Sequence, residues 1–328
     1  MLVRRMEAGE GQRLRALRRE ALTLAPEAFG AGLEHEQARP DRWFDERAGG
    51  PGVVLVAGDW AGMIGVFIAE ERPWVWGMWV SPDHRGSGAA RALLAAAVGW
   101  ARVRGFETLH LTVMDGAPAA RALYEGAGFA ATGRKGPEVV MELALEPQPR
   151  RIATERLTLR MFEPTELGAL HALRSHDEVV RWLYDDPATL EESRERLARR
   201  TKLTRFALTG DAIGLAVDRG GEVVGDASLF LTSAEHLQGE IGYIVHPDHQ
   251  GRGYATEAAA ALLELGFDGF GLHRIVGRIE PRNAGSAKVL ERLGMRREAL
   301  LAENELVKGE WQSEAIYALL YNQPRLRK

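Results

Sequence analysis

The chain contains no cysteine, so a disulfide framework, a thiolate metal site and a cysteine nucleophile are all closed to it. Its 328 residues are 45% apolar and 27% charged, without the excess polarity that forces disorder or the long apolar run of a membrane span. The formal charge of -4 supplies no general attraction for a polyanion, so neither a nucleic acid nor a membrane is expected as a partner. The start, Met1-Leu2-Val3-Arg4-Arg5-Met6-Glu7, lacks the apolar stretch and small-residue cleavage site of a secretory signal, which points to the cytoplasm. What the chain does have is length. It exceeds what one hydrophobic core usually supports, and two domains of ordinary size are expected.

An internal repeat supports that division. Val80-Ser81-Pro82-Asp83-His84-Arg85-Gly86-Ser87-Gly88 returns as Val245-His246-Pro247-Asp248-His249-Gln250-Gly251-Arg252-Gly253, an offset of 165 from His84 to His249. Gly62-Met63-Ile64-Gly65 answers Glu222-Val223-Val224-Gly225, and Gly128-Phe129 answers Gly294-Met295. Landmarks kept in order at nearly one offset imply duplication of a whole domain. The seam falls at Glu146-Pro147-Gln148-Pro149-Arg150, where two close prolines disfavour both helix and central strand. The expected layout is therefore a first domain over residues 1–146, a linker over 147–150 and a second domain over 151–328.

Each half reads as mixed α/β. A helix from Gly11 to Leu22 precedes a hairpin of Val53 to Ala57 and Met63 to Ile68. In the second half, helical stretches from Thr165 to Arg174 and Leu190 to Thr204 precede strands Ile213 to Val217 and Val223 to Leu231. Both halves then present a strand ending at Val80 or Val245, a glycine turn and a helix. Ala90, Leu93, Ala97 and Ala101, or Ala258, Leu262 and Leu265, fall at helical spacing on that helix.

Strand, Arg/Gln-Gly-x-Gly turn and helix make an anion site. The glycines let the backbone bend, while the unpaired N–H groups and dipole of the helix start face the phosphate. A dinucleotide fingerprint requires a third glycine where Arg91 and Thr256 stand, and a Walker loop requires a Gly-Lys-Ser/Thr that is absent. A lone turn of this kind is more often only a helix start; two copies in matching contexts favour the phosphate cradle.

Arg85-Gly86-Ser87-Gly88-Ala89-Ala90 and Gln250-Gly251-Arg252-Gly253-Tyr254-Ala255 resemble the signature of the GNAT superfamily of acetyl-CoA-dependent N-acetyltransferases, and the resemblance covers nearly the whole chain. The second half looks more specifically like the ribosomal-protein N-terminal acetyltransferase branch. It carries Thr154-Glu155-Arg156-Leu157-Thr158-Leu159-Arg160, Asn283-Ala284-Gly285-Ser286 and Gly309-Glu310-Trp311, with Ser313 where that branch often has aspartate. The resemblance implies an α/β (α+β) chain of two tandem GNAT domains, each a mixed, mostly antiparallel splayed sheet flanked by helices. It implies acetyl-CoA as acyl donor, an amine as acceptor and no metal. Acetyl-CoA would meet the two turns just quoted, the backbone at Val80 and Val245, and Asn283 and Ser286. Such domains commonly pair as homodimers. In a tandem chain the expectation is a monomer with an internal pseudo-dimer, a homodimer being the alternative.

Acetyl transfer to an amine needs a base for the ammonium and an acid for the departing thiolate. The resemblance offers Tyr124 as acid in the first half; Leu290 stands at that place in the second, where Ser286 takes the role. The plainer alternatives are a buried core tyrosine and a helix-start serine. Glu240, on the strand ending at Val245, is the candidate base, with a solvated strand-edge glutamate as the alternative. The first half has no acid between Trp74 and Val80, only Glu70 and Glu71 before it, so its base is a water chain or is missing. Asp115-Gly116-Ala117-Pro118 also lacks the asparagine expected there. Trp74, Trp76 and Trp79 read first as packing, and His84 and His249 as solvated loop residues. Direct transfer to a primary amine, such as a protein N-terminus or a small-molecule amine, is the leading function. A mycothiol-synthase-like tandem enzyme and a non-catalytic acyl-CoA sensor are the alternatives.

Overall fold

The computed structural model describes residues 1–29, 32–146 and 150–325, and the chain separates into two compact units, residues 1–148 and 149–328. The expected linker falls mostly on residues 147–149, outside the described residues. No helix among the described residues is long and apolar enough to cross a membrane.

The first unit runs β1 (Val3–Arg5), α1 (Gly11–Leu24), α2 (Leu33–Gln37), α3 (Asp41–Asp45), β2 (Val53–Ala57), β3 (Gly62–Ala69), β4 (Arg72–Val80), α4 (Ala89–Val103), β5 (Thr108–Met114), α5 (Pro118–Gly126), β6 (Ala130–Lys135) and β7 (Glu138–Ala144). The second runs β8 (Arg151–Ala153), β9 (Thr158–Met161), α6 (Leu167–Arg174), α7 (Asp177–Val180), α8 (Leu190–Arg200), β10 (Ala212–Arg219), β11 (Glu222–Ser233) and β12 (Gln238–Val245). It continues through α9 (Tyr254–Glu264), a π turn (Leu265–Gly269), β13 (Arg274–Ile279), α10 (Ala284–Arg292), β14 (Arg296–Val307) and β15 (Glu310–Leu320).

The strand orders are β1-β2-β3-β4-β5-β7-β6 and β14-β15-β13-β12-β11-β10-β9-β8. All pairs are antiparallel except β4 with β5 and β12 with β13, the two strands that a glycine turn and helix connect. These parallel pairs are short. β12 meets β13 only from Gln238 to Glu240, and β4 meets β5 only where Trp74 faces His110. Beyond those points Ile241–Val245 is paired on the β11 side alone, so the sheet splays and one backbone edge of β12 is left open.

The two faces of the second sheet carry different layers because strand side chains alternate. Ala227, Leu229 and Leu231 of β11 join the main core with Ala258, Ala261 and Leu262 of α9. On the other side Leu170 of α6 and Leu197 of α8 pack on Ala216 of β10, whose register partner is Asp226. Alanines along α9 bring that helix close to the sheet. A Cβ on Gly277 of β13 would lie 2.8 Å from Leu290, so α10 rests almost on the strand backbone.

The helix expected from Gly11 extends to Leu24, and the one expected to Thr204 ends at Arg200. The five-residue helices α2 and α3 and the four-residue α7 lacked enough turns to show a period.

Candidate functional site

Both turns close in the same way. Gly86 and Gly88 have φ of 77° and 86°, Gly251 and Gly253 of 72° and 81°, a left-handed conformation that residues with a Cβ rarely adopt. The residue before the first glycine folds back on the strand: Arg85 Nε donates to the Val80 carbonyl at 3.3 Å, and Gln250 Nε2 to the Val245 carbonyl at 3.0 Å. These side chains shape the turn. Ser87 does the same locally, its hydroxyl donating to the His84 carbonyl at 2.6 Å.

The helix starts that follow are uncapped. Neither Gly88 before α4 nor Gly253 before α9 offers a side-chain acceptor; the Ala89 N–H reaches the Ser87 hydroxyl oxygen at 3.4 Å, while the N–H groups of Ala90, or of Tyr254 and Ala255, are left to another partner. Open space surrounds the Cβ positions of Gly86, Gly88 and Gly251. An anion fits such a place.

In the second unit the turn opens into a cavity of about 490 Å³ running along the splayed edge of β12, lined among others by Tyr243, Val245, Gln250, Gly253, Asn283 and Ser286. Asn283 caps α10, its side-chain oxygen accepting from the Ser286 backbone N–H at 3.0 Å. That fixes Ser286 in the first helical turn on the cavity wall. The Tyr243 hydroxyl donates to the Ser286 carbonyl at 3.3 Å, and burial pushes its pKa up. Tyr243 is therefore a second hydroxyl at this point. The Tyr254 side chain is buried in the core, leaving its backbone at the turn.

Glu240 lies third in β12 and shares a sheet face with Phe230, its register partner. Burial raises its pKa, against the opposing pull of Arg278, whose Nε lies 3.2 Å away. Arg278 lines the cavity and also binds Glu314 at 2.9 Å, so Glu240 sits one ion pair behind the wall.

The first unit is differently furnished. Tyr124 on α5 is buried edge-on to Phe129, its pKa pushed up to about 12 by burial, and its hydroxyl makes no hydrogen bond among the described residues. Ala117 begins α5 without a side-chain cap. Each tryptophan of β4 has a packing partner. Trp74 stacks on His110 with centroids 5.0 Å apart, Trp76 meets Trp43 and Arg18, and Trp79 donates to Glu20 at 3.2 Å. His84 and His249 flank the turns; His249 reaches Glu222 at 3.3 Å and lines the cavity.

Sequence reasoning missed the clamp on the second turn. Glu257, in the first turn of α9, accepts from the Thr154 hydroxyl at 2.5 Å and from the Arg156 backbone N–H at 2.8 Å on one oxygen, and from the Arg156 guanidinium on the other. The same guanidinium donates to the Arg252 carbonyl at 2.8 Å and lies over the Tyr254 ring. Two motifs about a hundred residues apart thus hold one turn. Also missed was a group on the face opposite α9, where Arg174 and Arg200 both donate to buried Asp226.

Comparison with known proteins follows this division. Residues 156–296 match the family model described as Acetyltransferase (GNAT) domain, and residues 14–129 match that described as Acetyltransferase (GNAT) family. The chain is similar to the uncharacterized N-acetyltransferase YnaD of Bacillus subtilis (strain 168), at 31% identity over 52% of this chain and 96% of the relative. It is similar to the uncharacterized N-acetyltransferase p20 of Bacillus licheniformis, at 32% identity over 51% and 94%. Among solved structures, an acetyltransferase (GNAT family) from Bacillus anthracis matches 53% of this chain and 100% of its own, with 31% identity and a TM-score of 0.48.

Proposed function

The chain belongs to the GNAT acetyltransferases, with two such domains in tandem, and from that premise we propose that its second unit transfers an acetyl group from acetyl-CoA directly to a primary amine. The observation that carries this reading is one cavity joining the uncapped start of α9, the open edge of β12 and the first turn of α10. The pyrophosphate would bind the N–H groups after Gly253, and the free backbone of Ile241–Val245 would pair with the pantetheine arm as an added strand does.

Glu240 takes the proton from the acceptor ammonium, through a water across Arg278, its basicity increased by burial that raises its pKa from the ordinary value. The neutral amine attacks the thioester carbon, the C–S bond breaks, and the Ser286 hydroxyl gives its proton to the departing sulfur and regains one from the nitrogen that becomes the amide. The first unit keeps the turn without a strand carboxylate and is a weaker enzyme or a CoA-binding scaffold.

Steady-state rates of thiol release with a panel of amines test this. Ser286→Ala should lower kcat by roughly 10²-fold with little change in KM for acetyl-CoA, and Tyr243→Phe should lower it less. Glu240→Gln should recover part of its loss at high pH, where more of the amine is already neutral. A larger loss in Tyr243→Phe would move the proton donor to that hydroxyl, and no thiol release with any amine would remove the catalytic reading.

A further inference from the structure

Building on this amine-acetyltransferase reading, we infer that the acceptor carries a carboxylate, held on the α6–α8 side of the second sheet by Arg174 and Arg200.

Asp226 and Ser228 alternate with the α9-facing residues of β11 and point to the opposite layer. Their register partners are Ile244 and Gly242, and the next pair on that face is Phe230 with Glu240. Arg174 from α6 and Arg200 from α8 donate to the same oxygen of Asp226 at 2.6 and 2.7 Å, and Arg200 also donates to the Ser228 hydroxyl at 2.7 Å. All four residues line the cavity that contains Ser286.

The charges do not balance. Two guanidiniums whose side chains are 11% and 9% exposed share one carboxylate that is 1% exposed. No other carboxylate pairs with either arginine among the described residues; Glu178 at the rim is exposed, and nearby Arg196 is taken by Asp185. Arg174 Nε, a donor, is buried without an acceptor, whereas Asp226 Oδ1, an acceptor, is buried without a donor. Burial lowers the pKa of Arg200 against the pull of Asp226, and the neighbouring Arg174 adds to the lowering. An excess buried cation is unfavourable until an anion joins it.

The phosphates of acetyl-CoA do not supply that anion, because their cradle is the start of α9 on the other face of the sheet. A second anion must come from the acceptor. Ser228 lies two residues along β11 from the partner of Glu240, about 7 Å at strand rise. An amine and a carboxylate separated by several bonds span that distance, whereas a polyamine would bring a cation to the arginines.

The test is calorimetry on CoA-saturated protein with 4-aminobutyrate and 6-aminohexanoate, their amides, and spermidine. The amino acids should bind at least tenfold more tightly than the matched amides and spermidine. Arg174→Gln should level carboxylate and amide, while Arg174→Lys keeps part of the preference. Equal binding of amide and carboxylate by the wild type, tighter binding of spermidine, or a preference untouched in folded Arg174→Gln would overturn the inference. If Arg174→Gln does not fold, the wild-type comparison decides alone. Thiol release with the same compounds separates the two claims: carboxylate-selective binding without turnover would sink the catalytic reading only, and turnover without selectivity this inference only.

Discussion

Arg156 acts on the second turn from behind. It binds the Arg252 carbonyl, pairs with Glu257 at 2.7 Å and stacks on Tyr254, while the N–H groups of the turn stay free on the other side. Arg156→Ala should therefore raise KM for acetyl-CoA by about tenfold, the loss of one charge-assisted contact at roughly 1.5 kcal/mol, and leave kcat nearly unchanged. Arg156→Lys should restore only part, since lysine cannot make the bidentate pair. An equal fall in kcat and kcat/KM would show that the residue serves the chemical step and not the turn. A second residue-scale prediction concerns Glu10, which Arg4 binds at 2.7 Å and thereby holds at a pKa of about 2 against an ordinary 4.5. A lowered folded-state pKa contributes stability above the ordinary value and loses it as pH falls through the folded one. Melting temperatures of wild type and Glu10→Gln should differ at neutral pH and converge between pH 4.5 and 2; a gap that persists at the acid end would contradict the assignment. The second unit repeats this pair as Arg160 with Glu166 at 2.6 Å, at the same six-residue spacing. That echo was invisible to a search at a single offset, because the distance between halves differs there from that between the glycine turns. The turns themselves were legible because glycine spacing is local. The partners of Arg156, Arg174 and Arg200 were not, since they come from elements brought together only by the sheet.

At the scale of elements, periodicity carried furthest where helices are long and amphipathic, as in α1 and α4, while β2 and β3 were marked by continuous apolar runs on either side of a tight turn. It stopped at α7, whose four residues help wall the cavity through Glu178 and Val179. The splay of β12 from β13 was an expectation of the family resemblance; composition and spacing alone held no sign of it. Its geometry depends on α10 resting against β13. Gly277→Val would force a side chain into Leu290, so α10 must shift and take Ser286 with it. The expected cost is about 1–3 kcal/mol of stability, as for overpacking generally, with a larger proportional fall in kcat than in acetyl-CoA affinity. Chemical denaturation beside steady-state kinetics checks both, and an unchanged kcat in a destabilised variant would separate α10 from the chemistry.

The whole molecule holds two turns of one geometry and two unlike surroundings. The second unit joins its turn to Ser286, Tyr243 and the ion-paired Glu240, whereas in the first Val75 occupies the β4 position matching Glu240 and the tryptophans of β4 pack against their neighbours. The two units therefore share the glycine turn while the residues around it differ. Thiol release from acetyl-CoA, measured for Gly88→Asp and Gly253→Asp with one amine acceptor, tests this most directly, because each change puts a Cβ on a residue held at φ of 86° or 81° and a negative charge within a turn that one pyrophosphate must approach. Gly253→Asp should abolish turnover and Gly88→Asp should leave most of it; the reverse order would place catalysis in the first unit and contradict the account.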